Sequence, residues 1–329
     1  MSQNFKVLII LPNWLGDAVM ATPAIEAIVN EKPDVEITFI GSFVSIEAMK
    51  HHPNCKKAII DETKKASSRL LATYTLAKEI GYHDVAINFR NQIHSALLIY
   101  WSGTKKSVAR KSWFASLFLE KSMSVSSDIH LVKQYFNFIK HHFYCSEIVN
   151  LKLHIPQLKS EKKLLGINPG ATYGSAKRWY PQKFAEVAQA FSHEYDIVIF
   201  GGPTEVEMAE EIVIELKKMN ISNYENLAGK TTITELISNI SSLSLFITND
   251  SGPMHVAAAY QIPTVSIFGP TRHHETSQWQ NRKSSIVRLE NLECSPCMKR
   301  ECPLSTDNHK CMKDISAEMV ITAIKELKL

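Results

Sequence analysis

No stretch of this sequence approaches the roughly 18 consecutive apolar residues that a membrane-spanning helix needs. The first apolar run, Val7–Leu11, is too short for the hydrophobic region of a secretory signal and reads as a buried strand. Glycine (12) and proline (13) are sparse in 329 residues, and no low-complexity tract or internal repeat is found. Six cysteines in a chain this long, with no export signal, argue for a reducing, cytoplasmic setting over a disulfide framework. An excess of one charge is also lacking: the net charge is only +4 and the basic residues are dispersed. With no nucleic-acid reader motif, a nucleic-acid partner is not expected. The small positive surplus suits an anionic substrate or an anionic membrane surface.

Two nucleotide fingerprints are missing as well. There is no G-x-G-x-x-G of a dinucleotide fold, and no G-x-x-x-x-G-K-[ST] phosphate loop. A nicotinamide dehydrogenase is therefore disfavoured.

What is present is a regular alternation. Short apolar runs at Lys6–Leu11, Glu36–Gly41, Lys57–Ile60, Asp84–Asn88, Leu164–Asn168, Asp196–Gly201, Leu245–Thr248 and Thr264–Phe268 are separated by amphipathic helical stretches. Near-continuous apolar strands alternating with helices predict α/β domains whose parallel sheets are covered on both faces. The length suits two domains of about 150 residues each. The pattern weakens in the polar stretch before Leu164, which places one domain over 1–160 and a second over 161–314. The remaining residues, 315–329, read as a closing helix with Ile315, Met319, Val320, Ile324 and Leu327 on one face, packing back across the cleft between the domains.

Ligands of such sheets bind beyond the carboxyl ends of the strands, so the strand exits are the loops to read. T-N-D-S-G-P-M-H-V-A-A-A (248–259) combines good N-cap residues with Gly252 and Pro253, which makes an exposed helix N-terminus suited to an anion. His255, about a turn inside, reads by default as a hydrogen-bonded structural histidine. I-N-P-G-A-T-Y-G-S-A-K-R-W (167–179) offers Thr172, Ser175 and backbone donors to a phosphate, with Lys177 to neutralise its charge. F-G-G-P-T-E-V-E (200–207) puts Glu205 at a helix start, where a carboxylate favours the helix itself or binds ribose or sugar hydroxyls.

The first strand exits through P-N-W-L-G-D, and Asp17 there would repel a phosphate; it is better placed to accept a proton from a hydroxyl. A helix-capping role for Asp17 is the competing reading. Among scattered basic residues, Arg90, Arg110 and Lys111 are candidates for contact with an anionic acceptor. Cys294, Cys297, Cys302 and Cys311 could hold a structural zinc tetrahedrally, although their spacing departs from paired C-x-x-C motifs and equally suits a tightly turned loop.

Taken in order along the chain, L-P-N-W-L-G-D-A-V-M-A-T-P, N-P-G-A-T-Y-G-S-A-K-R-W, L-A-G-K-T-T, T-N-D-S-G-P-M-H-V-A-A-A and F-G-P-T resemble the bacterial lipopolysaccharide heptosyltransferases nearly end to end. Within that family the chain is most similar to the type II branch. The resemblance implies a GT-B architecture of two Rossmann-like domains facing a central cleft. It also implies inverting transfer of heptose from ADP-L-glycero-β-D-manno-heptose to a lipid A–Kdo–heptose acceptor at the cytoplasmic face of the inner membrane. It assigns Asp17 as general base, and Thr172, Lys177, Asp250, Ser251, Gly252 and His255 to the donor, with Glu205 a looser correspondence. No D-x-D motif is present, in keeping with a transfer that requires no cofactor. Types I and III of the family, and a non-catalytic nucleotide-sugar binder, remain compatible with these motifs.

Overall fold

The computed structural model describes residues 4–110, 119, 121–123 and 128–329, and divides into two compact units, 1–154 and 155–329. In the first unit the chain runs β1 (Lys6–Ile10), α1 (Leu15–Glu31), β2 (Glu36–Gly41), α2 (Phe43–Met49), β3 (Cys55–Ile60), α3 (Arg69–Ile80), β4 (Val85–Asn88), α4 (Ile93–Ser102), β5 (Ser107–Arg110), β6 (Lys121–Met123) and α5 (Leu131–Phe143). The strands form one parallel sheet in the order β3-β2-β1-β4-β5-β6. Its core joins Leu8, Ile10 and Ala86 of the sheet to Ala96 and Ile99 of α4.

α1 illustrates how local chemistry sets an element. Pro23 lies inside it and has no N–H to give the carbonyl one turn back. The Thr22 hydroxyl donates to that carbonyl, Val19 O, at 2.7 Å, so the helix continues through the proline from Leu15.

The second unit repeats the scheme: β7 (Leu164–Asn168), α6 (Pro181–Phe191), β8 (Asp196–Ile199), α7 (Val206–Lys218), β9 (Tyr224–Asn226), α8 (Ile233–Ser241), β10 (Leu245–Asn249), α9 (Gly252–Ala259), β11 (Thr264–Ile267), α10 (His273–Thr276), β12 (Ser284–Val287), α11 (Lys310–Lys313) and α12 (Ala317–Glu326). Its sheet, also parallel, is ordered β12-β11-β10-β7-β8-β9. Counted from its own first strand, this is the same order as in the first unit. In each, the strand order reverses beside the first strand, between β1 and β4 and between β7 and β10, and such a reversal opens a crevice at the carboxyl edge.

Two expectations change. Residues from Ile155 already belong to the second unit: Tyr260 donates to Ile155 O at 2.7 Å, and Leu158 N donates to Ser241 Oγ at 3.0 Å. The closing helix packs on α6 and β12 within its own unit, with Ile315, Ala317, Val320 and Ile324 in the core around Trp179 and Phe184. Of the predicted stripe, Ile315, Val320 and Ile324 are buried, while Met319 is exposed.

Candidate functional site

In the second unit both motif loops leave the sheet at its reversal point. The first, after β7, is fixed by side chains from β10: Asn249 donates to Pro169 O at 2.6 Å and accepts from Trp179 N at 3.1 Å. Asn249 is fully buried, so its two bonds satisfy a polar group that would otherwise be costly. Trp179 then anchors the far end of the loop. Its ring meets Phe184 edge-on at 4.9 Å, and its indole N–H donates to Ile315 O at 3.0 Å.

Between these anchors lies Lys177. Its ammonium donates to Asp250 Oδ2, and Thr271 donates to the same oxygen, both at 2.5 Å. The Lys177 and Asp250 side chains are only 12% and 5% exposed, so the pair sits well out of water. Asp250 is followed by Ser251 at the N-cap of α9, which makes no side-chain cap bond. The Ser251 hydroxyl instead meets Thr248 Oγ1 at 3.1 Å and accepts from Asn168 at 3.3 Å. α9 begins at Gly252 with no side-chain cap; Pro253 has no N–H and Met254 N donates to Ser251 O at 3.2 Å, so the Gly252 amide and the helix dipole stand beside a lysine as an anion site. His255 lies buried one turn inside α9, and Thr172 is exposed on the loop.

Glu205 closes a short 3-10 turn, Pro203–Glu205, and its Oε2 accepts from Gly202 N at 2.8 Å. Its carboxylate lies against Gly170, where a Cβ would stand 2.0 Å from Cδ. Gly170 is therefore the residue that admits Glu205 to the β7 loop. The helix-start and ligand-facing readings of Glu205 are compatible with this one position.

The cysteine-rich segment braces the same loop. Ala176 N donates to Arg300 O at 3.0 Å, Tyr173 OH donates to Met298 O at 2.8 Å, and His309 Nε2 meets Ala176 O at 3.0 Å. Burial, with Cys294, Cys297 and Cys302 nearby, pushes the Cys311 thiol up to about 11. Among the described residues, the group whose candidate metal-ligand atoms all lie within 4.8 Å of one another is a different one: Glu26, His52 and His154. Both imidazoles meet Glu26 Oε1 through Nε2, at 3.2 and 2.6 Å. His52 Nδ1 already accepts from Asn54 N at 3.1 Å, so in the neutral ring its Nε2 carries the proton and has no lone pair for a metal.

In the first unit Asp17 is the third residue of α1, in its first turn, directly beyond β1; it is not the N-cap, which is Trp14. The turn that carries it is tied down by Ser42, whose hydroxyl donates to Asn13 O at 2.7 Å, and by Ser45, which donates to Pro12 O. Arg90, at the exit of β4, is 7% exposed. Its Nε donates to Leu11 O at 2.7 Å and its NH1 to Asp61 Oδ2 at 2.6 Å, so part of its role is to hold the end of β1. Burial raises the Asp61 carboxyl, but Thr63 and Arg90 outweigh it and hold the group below its ordinary value. Arg69 and His94 complete this neighbourhood; neither is among the sequence candidates, since a lone basic or imidazole residue at a helix start carries no local signal. Arg110 ends β5, but its side chain and all of Lys111 lie outside the described residues.

Two parallel α/β domains, each presenting polar side chains at its reversal point, with an anion site in the second, define a nucleotide-sugar enzyme of GT-B type. The chain belongs to Glycosyltransferase family 9 (heptosyltransferase), whose description it matches over residues 73–307. It is 43% identical to lipooligosaccharide heptosyltransferase 2 of Campylobacter jejuni, over 98% of this chain and 99% of the relative. It is 26% identical to lipopolysaccharide heptosyltransferase 2 of Escherichia coli, over 86% of this chain and 88% of that one. Among solved structures it matches E. coli ADP-heptose LPS heptosyltransferase II with a TM-score of 0.81 at 23% identity, covering 98% of both chains. An E. coli heptosyltransferase solved with ADP matches with a TM-score of 0.79 at 14% identity, over 98% of this chain and 100% of that one. At these structural identities the likeness is one of fold.

Proposed function

We propose that the chain is an inverting heptosyltransferase of type II, moving L-glycero-D-manno-heptose from ADP-heptose to the first heptose of a lipid A–Kdo–heptose acceptor. The observation that carries this reading is the buried Lys177–Asp250–Thr271 group beside the uncapped start of α9, at the sheet position where nucleotides bind. ADP leaves as an anion, and Lys177 with the Gly252 amide and the α9 dipole is placed to stabilise its developing charge. Asp17 takes the proton of the acceptor hydroxyl as that oxygen forms its bond to the anomeric carbon. The bond from that carbon to the phosphate oxygen breaks, and ADP keeps the electron pair. Attack opposite the leaving group inverts the centre, with the acceptor hydroxyl in the place that water holds in inverting glycosidases.

No step is assigned to a metal, and exhaustive chelation is expected to leave transfer unchanged. The acceptor's lipid anchor places the enzyme at the cytoplasmic face of the inner membrane, with exposed Lys105 and Lys106 suited to its anionic surface. No helix among the described residues is long and apolar enough to cross a membrane.

The test is transfer of heptose from ADP-heptose to defined cores carrying zero, one or two heptoses. Activity confined to the one-heptose core supports type II. Activity on the heptose-free core alone assigns type I, and binding of ADP-heptose without transfer to any core leaves only a binding protein.

A further inference from the structure

At the carboxyl edge of the first sheet, four buried side-chain atoms have no hydrogen-bond partner among the described residues: Arg69 Nε, Arg90 NH2, Gln92 Oε1 and His94 Nδ1. Buried polar atoms are normally hydrogen-bonded, and four without a partner in one place are not a packing accident. The Arg90 side chain is 5% exposed, with Nε and NH1 held by Leu11 and Asp61, so NH2 is fixed in direction and unused. Gln92 is the N-cap of α4 but its side chain makes no cap bond; Ser95 N donates to Gln92 O at 3.1 Å, which leaves the Ile93 and His94 amides at the helix start.

We propose that Arg69, Arg90, Gln92 and His94 form a subsite that binds an oxyanion of the acceptor, a carboxylate or a phosphate. The inference rests on the glycosyltransferase reading above and names what its acceptor must carry. Two guanidiniums less the Asp61 carboxylate leave a net charge of +1, matched by one anionic group. Arg90 NH2, Arg69 Nε and the α4 amides can donate to its oxygens, while Gln92 Oε1 accepts from a neighbouring sugar hydroxyl. The imidazole of His94 lies near Arg69 and Asp61. Burial and the Arg69 charge, against the pull of Asp61, hold it below its ordinary value, so it can serve as a neutral hydrogen-bonding wall. Arg90 also ties this subsite to the end of β1, from which the turn bearing Asp17 departs. An anion bound here would therefore register the acceptor on the same sheet edge as the base.

Acceptor core is prepared in four forms: untreated, carboxyl-esterified, dephosphorylated, and both. Kinetics are measured for the wild type and for Arg69→Gln, whose backbone opens α3. Arg69→Gln is expected to raise the acceptor KM by about 10-fold, the loss of one charge-assisted bond. The donor KM and melting temperature should be unchanged. The wild type should lose a similar factor on esterification if the anion is a carboxylate, or on dephosphorylation if it is a phosphate. The variant should lose nothing further with that same form. Wild-type enzyme that uses the doubly treated core as well as the untreated one overturns the subsite while leaving the transferase reading intact. Absence of transfer to every form removes that reading, and the subsite with it.

Discussion

Lys177 and Asp250, 73 residues apart in sequence, form a buried ion pair in which Thr271 shares the same carboxylate oxygen. The pair fixes the lysine beside the start of α9 before any ligand arrives, so little reorganisation is needed when a pyrophosphate binds. Lys177→Ala removes that charge and leaves Asp250 buried without its cation. The expected result is a fall of about 100-fold or more in kcat/KM for ADP-heptose, with a stability loss of about 3 kcal/mol. Asp250→Asn in the same background should recover much of the stability and none of the activity. Donor affinity undiminished in Lys177→Ala would remove the phosphate role.

Gly170 is a glycine because Glu205 occupies the space of its Cβ. Gly170→Ala is expected to destabilise the protein by about 1–3 kcal/mol through overpacking, and to weaken ADP binding by displacing the β7 loop. Gly170→Ala with Glu205→Ala should melt higher than Gly170→Ala alone. If the single variant melts like wild type, the carboxylate is not fixed where the geometry puts it.

Asp17 separates chemistry from binding. Asp17→Asn keeps a polar group of the same shape in the first turn of α1 but cannot take a proton. Transfer should fall about 100- to 10,000-fold, while calorimetry finds ADP affinity unchanged. Full turnover in this variant would leave the enzyme needing another base.

The Glu26 network predicts a pH-dependent stability. Burial opposes ionisation of Glu26, yet hydrogen bonds from His52, His154 and Lys152 prevail and bring its carboxyl from 4.5 down to about 2. A depressed carboxyl contributes its full stabilisation above 4.5, and loses it as pH falls from there toward about 2. Burial also holds His154 below its ordinary value, so protonating it on acidification works against the folded state in the same direction. Glu26→Gln should cost about 2 kcal/mol at neutral pH, with the gap to wild type narrowing below 4.5. Melting curves from pH 7 to pH 3.5 decide it, and a gap that stays constant across that range would show that the charge of Glu26 is not what stabilises.

The strands that carry the site were legible from sequence because they are central. β1, β2, β7, β10 and β11 are buried on both faces, and their largely apolar runs stand out from the polar segments around them. β5 (S-V-A-R), β9 (Y-E-N) and β12 (S-S-I-V) did not stand out. They are three or four residues long, and the backbone ladder of a neighbouring strand defines them more than any pattern of their own. α1 runs through Pro23, and the Thr22 hydroxyl takes up the carbonyl that the proline leaves without a donor.

By itself the sequence determined the doubly repeated α/β plan, the strand exits that bear chemistry, and the candidates Asp17, Lys177 and Asp250. Each of these is local information: apolar period, capping residues, an acid or a base at the end of a run. Tertiary structure alone decided that Asp250 holds Lys177 in place, that Gly170 makes room for Glu205, and that Arg90 braces Leu11 while keeping one nitrogen unused. It also assigned the last helix to the core of the second unit. Those outcomes depend on which side chains meet across tens of residues. The meeting is set by strand order and burial, which local pattern does not encode.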